Sequence, residues 1–276
     1  MKTLRALLTA ALFTLGLTGC LQIEKVVKLQ PDGSGTVEET LLMGKDVIAQ
    51  MEQMTSSLGG LGGKKEEKPA AKGFELMDEK KLRDAAEKMG EGVTLVSAKK
   101  IDNDKGSGFV AVYAFKDINK LKLDQNPGDV MPAPTGVKAG QGASKIEPVT
   151  FKFTKGAPAE LVVKMPVPDF KKPEKKEKAG GMEDMAVQMM GQMFKDMKVT
   201  MAIEVAGAIK ETNAEYKAGS RVTLMEMDFN KLLANPEKFK QLAKENPKTL
   251  QESKALMKGI DGVKVETAPE VTIKFQ

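Results

Sequence analysis

The sequence predicts an α+β protein: an antiparallel β-sheet built from several hairpins, with helices packed on one face. Two observations carry that prediction. Segments of alternating apolar and polar residues recur in pairs around turn signals, the pattern of hairpins. Between and after them lie segments of helical period that begin with capping residues.

Taken in order, residues 23–29 and 36–43 form the first pair, joined through Pro31-Asp32-Gly33-Ser34-Gly35. Residues 93–101 and 109–115 form the second, across Asp102-Asn103-Asp104-Lys105-Gly106-Ser107-Gly108. A third joins 149–153 to 161–165 around Gly156-Ala157-Pro158, and a fourth joins 199–209 to 221–229 through residues 213–219. A short closing pair is expected from 263–266 and 271–275. In the fourth pair Val199, Met201, Ile203 and Val205 share one phase while Thr200, Ala202 and Glu204 share the other. One buried and one wetter face is what an antiparallel sheet covered on one side requires.

Asp78 stands before a helical stretch with Leu82, Ala85, Ala86 and Met89 on one face, stopped at Gly90. Asn235-Pro236 and Asn246-Pro247 each read as an N-cap followed by proline in the first turn. Asp46, Asp117 and Asp228 each follow a hairpin at the position where a helix would start, a loose hairpin-helix repeat of structural meaning. Residues 56–72, 126–144 and 171–181 are rich in glycine, proline or alternating charge and read as linkers.

The N-terminus has three zones. Lys2 and Arg5 are basic, residues 6–15 are apolar, and Leu17-Thr18-Gly19-Cys20 follows. The apolar stretch is shorter than the ~20 residues of a membrane span, as in a cleaved signal. The tetrapeptide matches the lipobox of bacterial lipoproteins. That resemblance implies diacylglycerol on the Cys20 sulfur, cleavage between Gly19 and Cys20, and acylation of the new amine. Residues 1–19 are thus expected to be a lipoprotein signal peptide, and 20–276 one extracytoplasmic α+β domain with mobile linkers. Leu21 stands where an aspartate favours inner-membrane retention in Gram-negative lipoproteins, so by analogy the anchor points to the outer membrane, facing the periplasm. Two or three acyl chains, at about 0.8 kcal/mol per buried methylene, hold a protein at a membrane essentially permanently.

Composition narrows the chemistry. The chain has 43 basic and 38 acidic residues; without Lys2 and Arg5 the balance is 41 against 38, or +3. Beyond the signal the arginines are Arg83 and Arg221, and there are two tyrosines and no tryptophan. Nucleic-acid sites rely on arginine forks and aromatic platforms, so nucleic acid is not expected as a partner. Cys20 is the sole cysteine and there is no histidine. This excludes an intramolecular disulfide, histidine-based nucleophile systems and His-ligated zinc. No cofactor motif is present, and no enzyme is expected.

Met182, Met185, Met189, Met193 and Met197, with Met190 beside them, recur at helical spacing. Thioethers are soft ligands for Cu(I), which makes periplasmic copper binding an alternative function. Methionine more often fills an irregular core or an adaptable apolar surface, and this stripe is also the candidate for ligand contact. Asp102-Asn103-Asp104-Lys105-Gly106 begins like a calcium loop but lacks the closing acid, and is read as a hairpin turn. Gly59-Gly60-Leu61-Gly62-Gly63-Lys64-Lys65 has the wrong spacing for a phosphate loop. Glu38-Glu39 and Glu226 with Asp228 read as solvated carboxylates, and no catalytic or metal-binding residue is nominated.

Finally, Met201-Ala202-Ile203-Glu204-Val205-Ala206-Gly207-Ala208-Ile209-Lys210-Glu211-Thr212-Asn213-Ala214, with Arg221-Val222-Thr223-Leu224, is similar to the closing hairpin of LppM-like envelope lipoprotein domains. Asp32-Gly33 fits the hairpin that follows their lipidated cysteine. The chain departs from that pattern at Ala206, where the family has proline, and near Leu224, where it has tryptophan. The resemblance implies an extracytoplasmic α/β domain without established catalytic residues, in contact with lipid or envelope glycolipid. The expected function is therefore a non-enzymatic binding or structural role at the membrane, with an apolar, lipid or envelope-protein partner.

Overall fold

The computed structural model describes residues 21–49, 76–124, 147–165, 196–234 and 259–276. Within them two β-sheets share one apolar core. The first hairpin is β1 (Leu21–Leu29) and β2 (Gly35–Gly44), and the second is β3 (Thr94–Asn103) and β4 (Gly106–Phe115). A two-residue strand β5 (Lys122–Leu123) precedes the third hairpin, β6 (Val149–Thr154) and β7 (Ala159–Lys164). Then come β8 (Met197–Val205), β9 (Ile209–Thr212), β10 (Lys217–Ala218) and β11 (Arg221–Asp228). The chain closes with β12 (Val263–Val265) and β13 (Glu270–Phe275).

The larger sheet has the order β10-β11-β8-β1-β2-β4-β3, with β12 also on β11; the smaller has the order β5-β6-β7-β13-β9. Three predicted hairpins, β1–β2, β3–β4 and β6–β7, form, the second with a register shift between Leu95 and Ser97. The α+β expectation does not hold. Inward residues of the smaller sheet, Phe151, Leu161, Val163, Ile273 and Phe275, join the core of the larger one, where the sequence had suggested helices. Nor is the larger sheet wholly antiparallel, since β1 and β8 run parallel from Leu21↔Met197 to Leu29↔Val205.

The fourth pair forms only in part. β8 pairs with β11, but the chain leaves β8 and enters the smaller sheet as β9. The closing pair does not exist as a hairpin: β12 lies on β11, and β13 between β7 and β9. Alternation identifies strands but cannot say which strand each one joins. The wetter face of β8 is also misjudged, because Thr200 and Ala202 are buried along with the core-facing phase. A strand enclosed on both faces is typical where parallel pairing occurs.

The helical signals hold where they fall on described residues. The helix Glu79–Met89 buries Leu82, Ala86 and Met89, and the Asp78 carboxylate accepts from the Lys80 and Lys81 amides. Residues 45–49 are helical. Asp117 caps a 3-10 turn, Ile118–Lys120, and Asp228 caps the short helix Phe229–Leu233. The segments 56–72, 126–144 and 171–181, the glycine-rich 59–65 and the helices begun at Asn235 and Asn246 lie outside the described residues.

Gly207 turns the chain from one sheet to the other. Its φ is +106° and a Cβ there would stand 2.5 Å from the Gln276 carbonyl oxygen. The flanking residues are fixed from both sides: the Ala206 amide donates to Leu29 O, and Ala208 and Gln276 exchange backbone bonds. We expect Gly207→Ala to lower stability by about 1–3 kcal/mol, read as a drop in the urea midpoint at unchanged slope.

Candidate functional site

β1 and β2 each carry a charge on their apolar phase. Lys25 falls among Leu21, Ile23, Val27 and Leu29, and Glu39 among Val37, Leu41 and Met43. The Asp32-Gly33 turn sets the hairpin register, which places Lys25 directly opposite Glu39. In that turn the Asp32 carboxylate accepts from the Ser34 amide and hydroxyl, which hold it below the usual carboxylate range. Tyr113 arrives from β4, opposite Val37.

The three side chains meet in the shared core. Lys25 Nζ is 3.3 Å from Glu39 Oε1, with side chains only 11% and 4% exposed. The Tyr113 hydroxyl donates to Glu39 Oε2 at 3.3 Å and the ring is fully buried. No described residue directs a hydrogen bond at Oε1, so Lys25 holds that oxygen by charge attraction alone. Burial pushes the Tyr113 phenol well up, and the Glu39 charge and hydrogen bond push it further. The phenol is therefore held as a neutral donor to Glu39. A buried ion pair with incomplete hydrogen bonding costs several kcal/mol of desolvation per ion, which its mutual attraction does not fully repay. By contrast buried Glu266 accepts from the Tyr216 amide at 2.9 Å.

The opposite face of the larger sheet carries ordinary surface chemistry. Arg221 donates to Glu24 at 2.7 Å and to Glu204 at 2.8 Å, tying β11 to β1 and β8. Burial works against its charge, but the two carboxylates outweigh it and raise its pKa. Glu38 pairs with Lys28 at 2.8 Å. Glu226 lies 2.9 Å from Lys264 and 3.5 Å from Lys198, and Asp228 caps a helix. Reading these carboxylates as solvated is right for Glu38 and wrong for Glu39. The signal that distinguishes them is phase, since Glu39 shares the parity of Val37 and Leu41.

Gly19, Cys20, Met182, Met185, Met189 and Met193 lie outside the described residues. Met197 does not continue a helix; it opens β8, is buried, and sits beside Leu21. The Asp102–Gly106 stretch is a tight turn, with Asn103 Oδ1 accepting from the Lys105 and Gly106 amides. No helix among the described residues is long and apolar enough to cross a membrane.

No protein-family model matches the chain, and no curated relative does. Among solved structures it is similar to the folded domain of LppM from Mycobacterium tuberculosis, determined by NMR. The TM-score is 0.32 and the identity 9%, over 95% of each chain. A likeness that loose decides nothing about the site.

Two outcomes follow. Lys25→Met alone leaves a buried carboxylate unpaired and should cost about 3–5 kcal/mol, whereas Lys25→Met with Glu39→Leu should regain most of that loss; urea unfolding of both variants measures the difference. For Glu226, burial would raise the pKa, but the Lys264 hydrogen bond and Lys198 charge outweigh it and lower the value. A carboxyl lowered on folding adds stability above its unfolded pKa and loses it as pH falls through the folded one. Glu226→Gln should therefore lower stability at neutral pH and flatten its decline below the ordinary carboxylate pKa of 4.5.

Proposed function

We propose that the protein is a membrane-anchored envelope lipoprotein with a non-enzymatic binding role, its ligand apolar or lipidic. The anchor reading rests on the Leu17-Thr18-Gly19-Cys20 motif and its basic and apolar prelude. Leu21 after the cysteine supports the periplasmic face of the outer membrane as its destination. The observation that carries the binding role is the Lys25–Glu39–Tyr113 cluster, a polar island within an otherwise apolar two-sheet core. The polar group of an amphiphile would supply the hydrogen bond that Glu39 Oε1 does not receive from any described residue. The raised phenol and the absence of histidine support binding over catalysis.

Fractionation and native mass spectrometry test this together. The wild-type chain should remain in salt-washed membranes, and Cys20→Ala should appear in the soluble fraction. Protein released in mild detergent should carry a lipid-sized mass beyond its anchor, reduced in the Lys25→Met, Glu39→Leu variant. A bare mass in both would remove the binding role, and soluble wild type would remove the anchor.

A further inference from the structure

We propose that the end of the larger sheet at which β1 begins is a bilayer-contacting face, its occupant the lipid headgroups of the membrane holding Cys20. The inference rests on the lipoprotein reading and adds an orientation to it. Cys20 directly precedes Leu21 in the sequence. Leu21 is already part of the sheet: it pairs with Met43 and Met197, is 5% exposed, and its amide donates to Asp196 O. No residues remain between the lipidated position and the folded sheet to act as a flexible tether. β1 is moreover an inner strand, between β8 and β2, so the described chain enters the sheet away from its edges.

Strand registers show what shares that end. It holds the start of the helical segment 45–49, the Asp104-Lys105 turn, the start of the helix Phe229–Leu233 and the turn before β12. Val47, Ile48 and Phe229, which pack in part against the core, and Ile260 keep some uncovered surface there, among exposed Lys45, Lys105 and Lys231. Apolar side chains interleaved with long lysines suit the boundary between headgroups and acyl chains. Asp46, Asp104 and Asp261 are also exposed at this end. With its charges mixed, the face is held by the anchor and apolar contact and does not depend on anionic lipid. At the other end of β1, the Gly33 carbonyl accepts from Ile118 and the Ala206 amide donates to Leu29 O. The smaller sheet joins there, away from the bilayer.

The test uses the full acylated chain in vesicles of phosphatidylethanolamine and phosphatidylglycerol that carry a headgroup nitroxide lipid. With the Cys20 sulfur blocked by its acyl group, single thiols can be labelled at Lys45→Cys and Lys105→Cys, and at Lys116→Cys and Lys155→Cys on the far end. Quenching should be several-fold stronger at 45 and 105. A Gly/Ser insert of about ten residues after Cys20, with a reach of roughly 15–20 Å, should abolish the difference. Equal quenching at both ends without the insert would overturn the orientation. The mass of the N-terminal peptide separates the two failures: absent acyl chains sink the lipoprotein reading, and the orientation with it.

Discussion

The parallel pairing of β1 with β8 is the constraint on which the rest of the structure depends. It joins residues 21–29 to residues 176 positions later, strand to strand along nine residue pairs. Without it the N-terminal hairpins and the C-terminal strands of the larger sheet would form separate ladders. With it, β11 and β12 extend the same sheet on one side and β2, β4 and β3 on the other. Loop-closure entropy opposes contacts so distant in sequence, which makes the extensive apolar burial along β1 and β8 necessary.

That pairing also defines the environment of the polar cluster. Lys25 has Glu39 on one side and Met201 on the other. Glu39 in turn faces Ala111, a small residue in β4, with Tyr113 two positions along. The cluster therefore draws on three strands, and a charged pair is kept in a core that apolar residues of similar volume would fill at no greater cost. On the opposite face Arg221 binds carboxylates from β1 and β8 where water can reach them. The two arrangements use similar residues, but the first is enclosed in the core and the second is a surface clasp.

Much of the local structure was legible in the chain. The Asp32-Gly33 and Asp104-Lys105 turns, three hairpins and the caps Asp78, Asp117 and Asp228 are short-range events, settled by residues within a few positions of one another. The site was legible only in part. Lys25 and Glu39 could be seen as charges on an apolar phase, and the first turn puts them opposite each other. Tyr113, at a distance of 74 residues from Glu39, leaves no local trace.

The sequence by itself determined where most of the strands and turns lie, the apolar phase of the first hairpins, and the lipobox reading of Cys20. Each is written in periodicity or in a motif. Tertiary structure alone decided that β1 lies parallel to β8, that β12 and β13 part into different sheets, and that a second sheet occupies the place expected for helices. It also decided that Glu39 is buried while Glu38, its neighbour, is not enclosed. The physical reason is that alternation specifies an apolar face without naming its partner, and several pairings bury such a face about equally well. Only the complete set of contacts, summed over both sheets, selects among them.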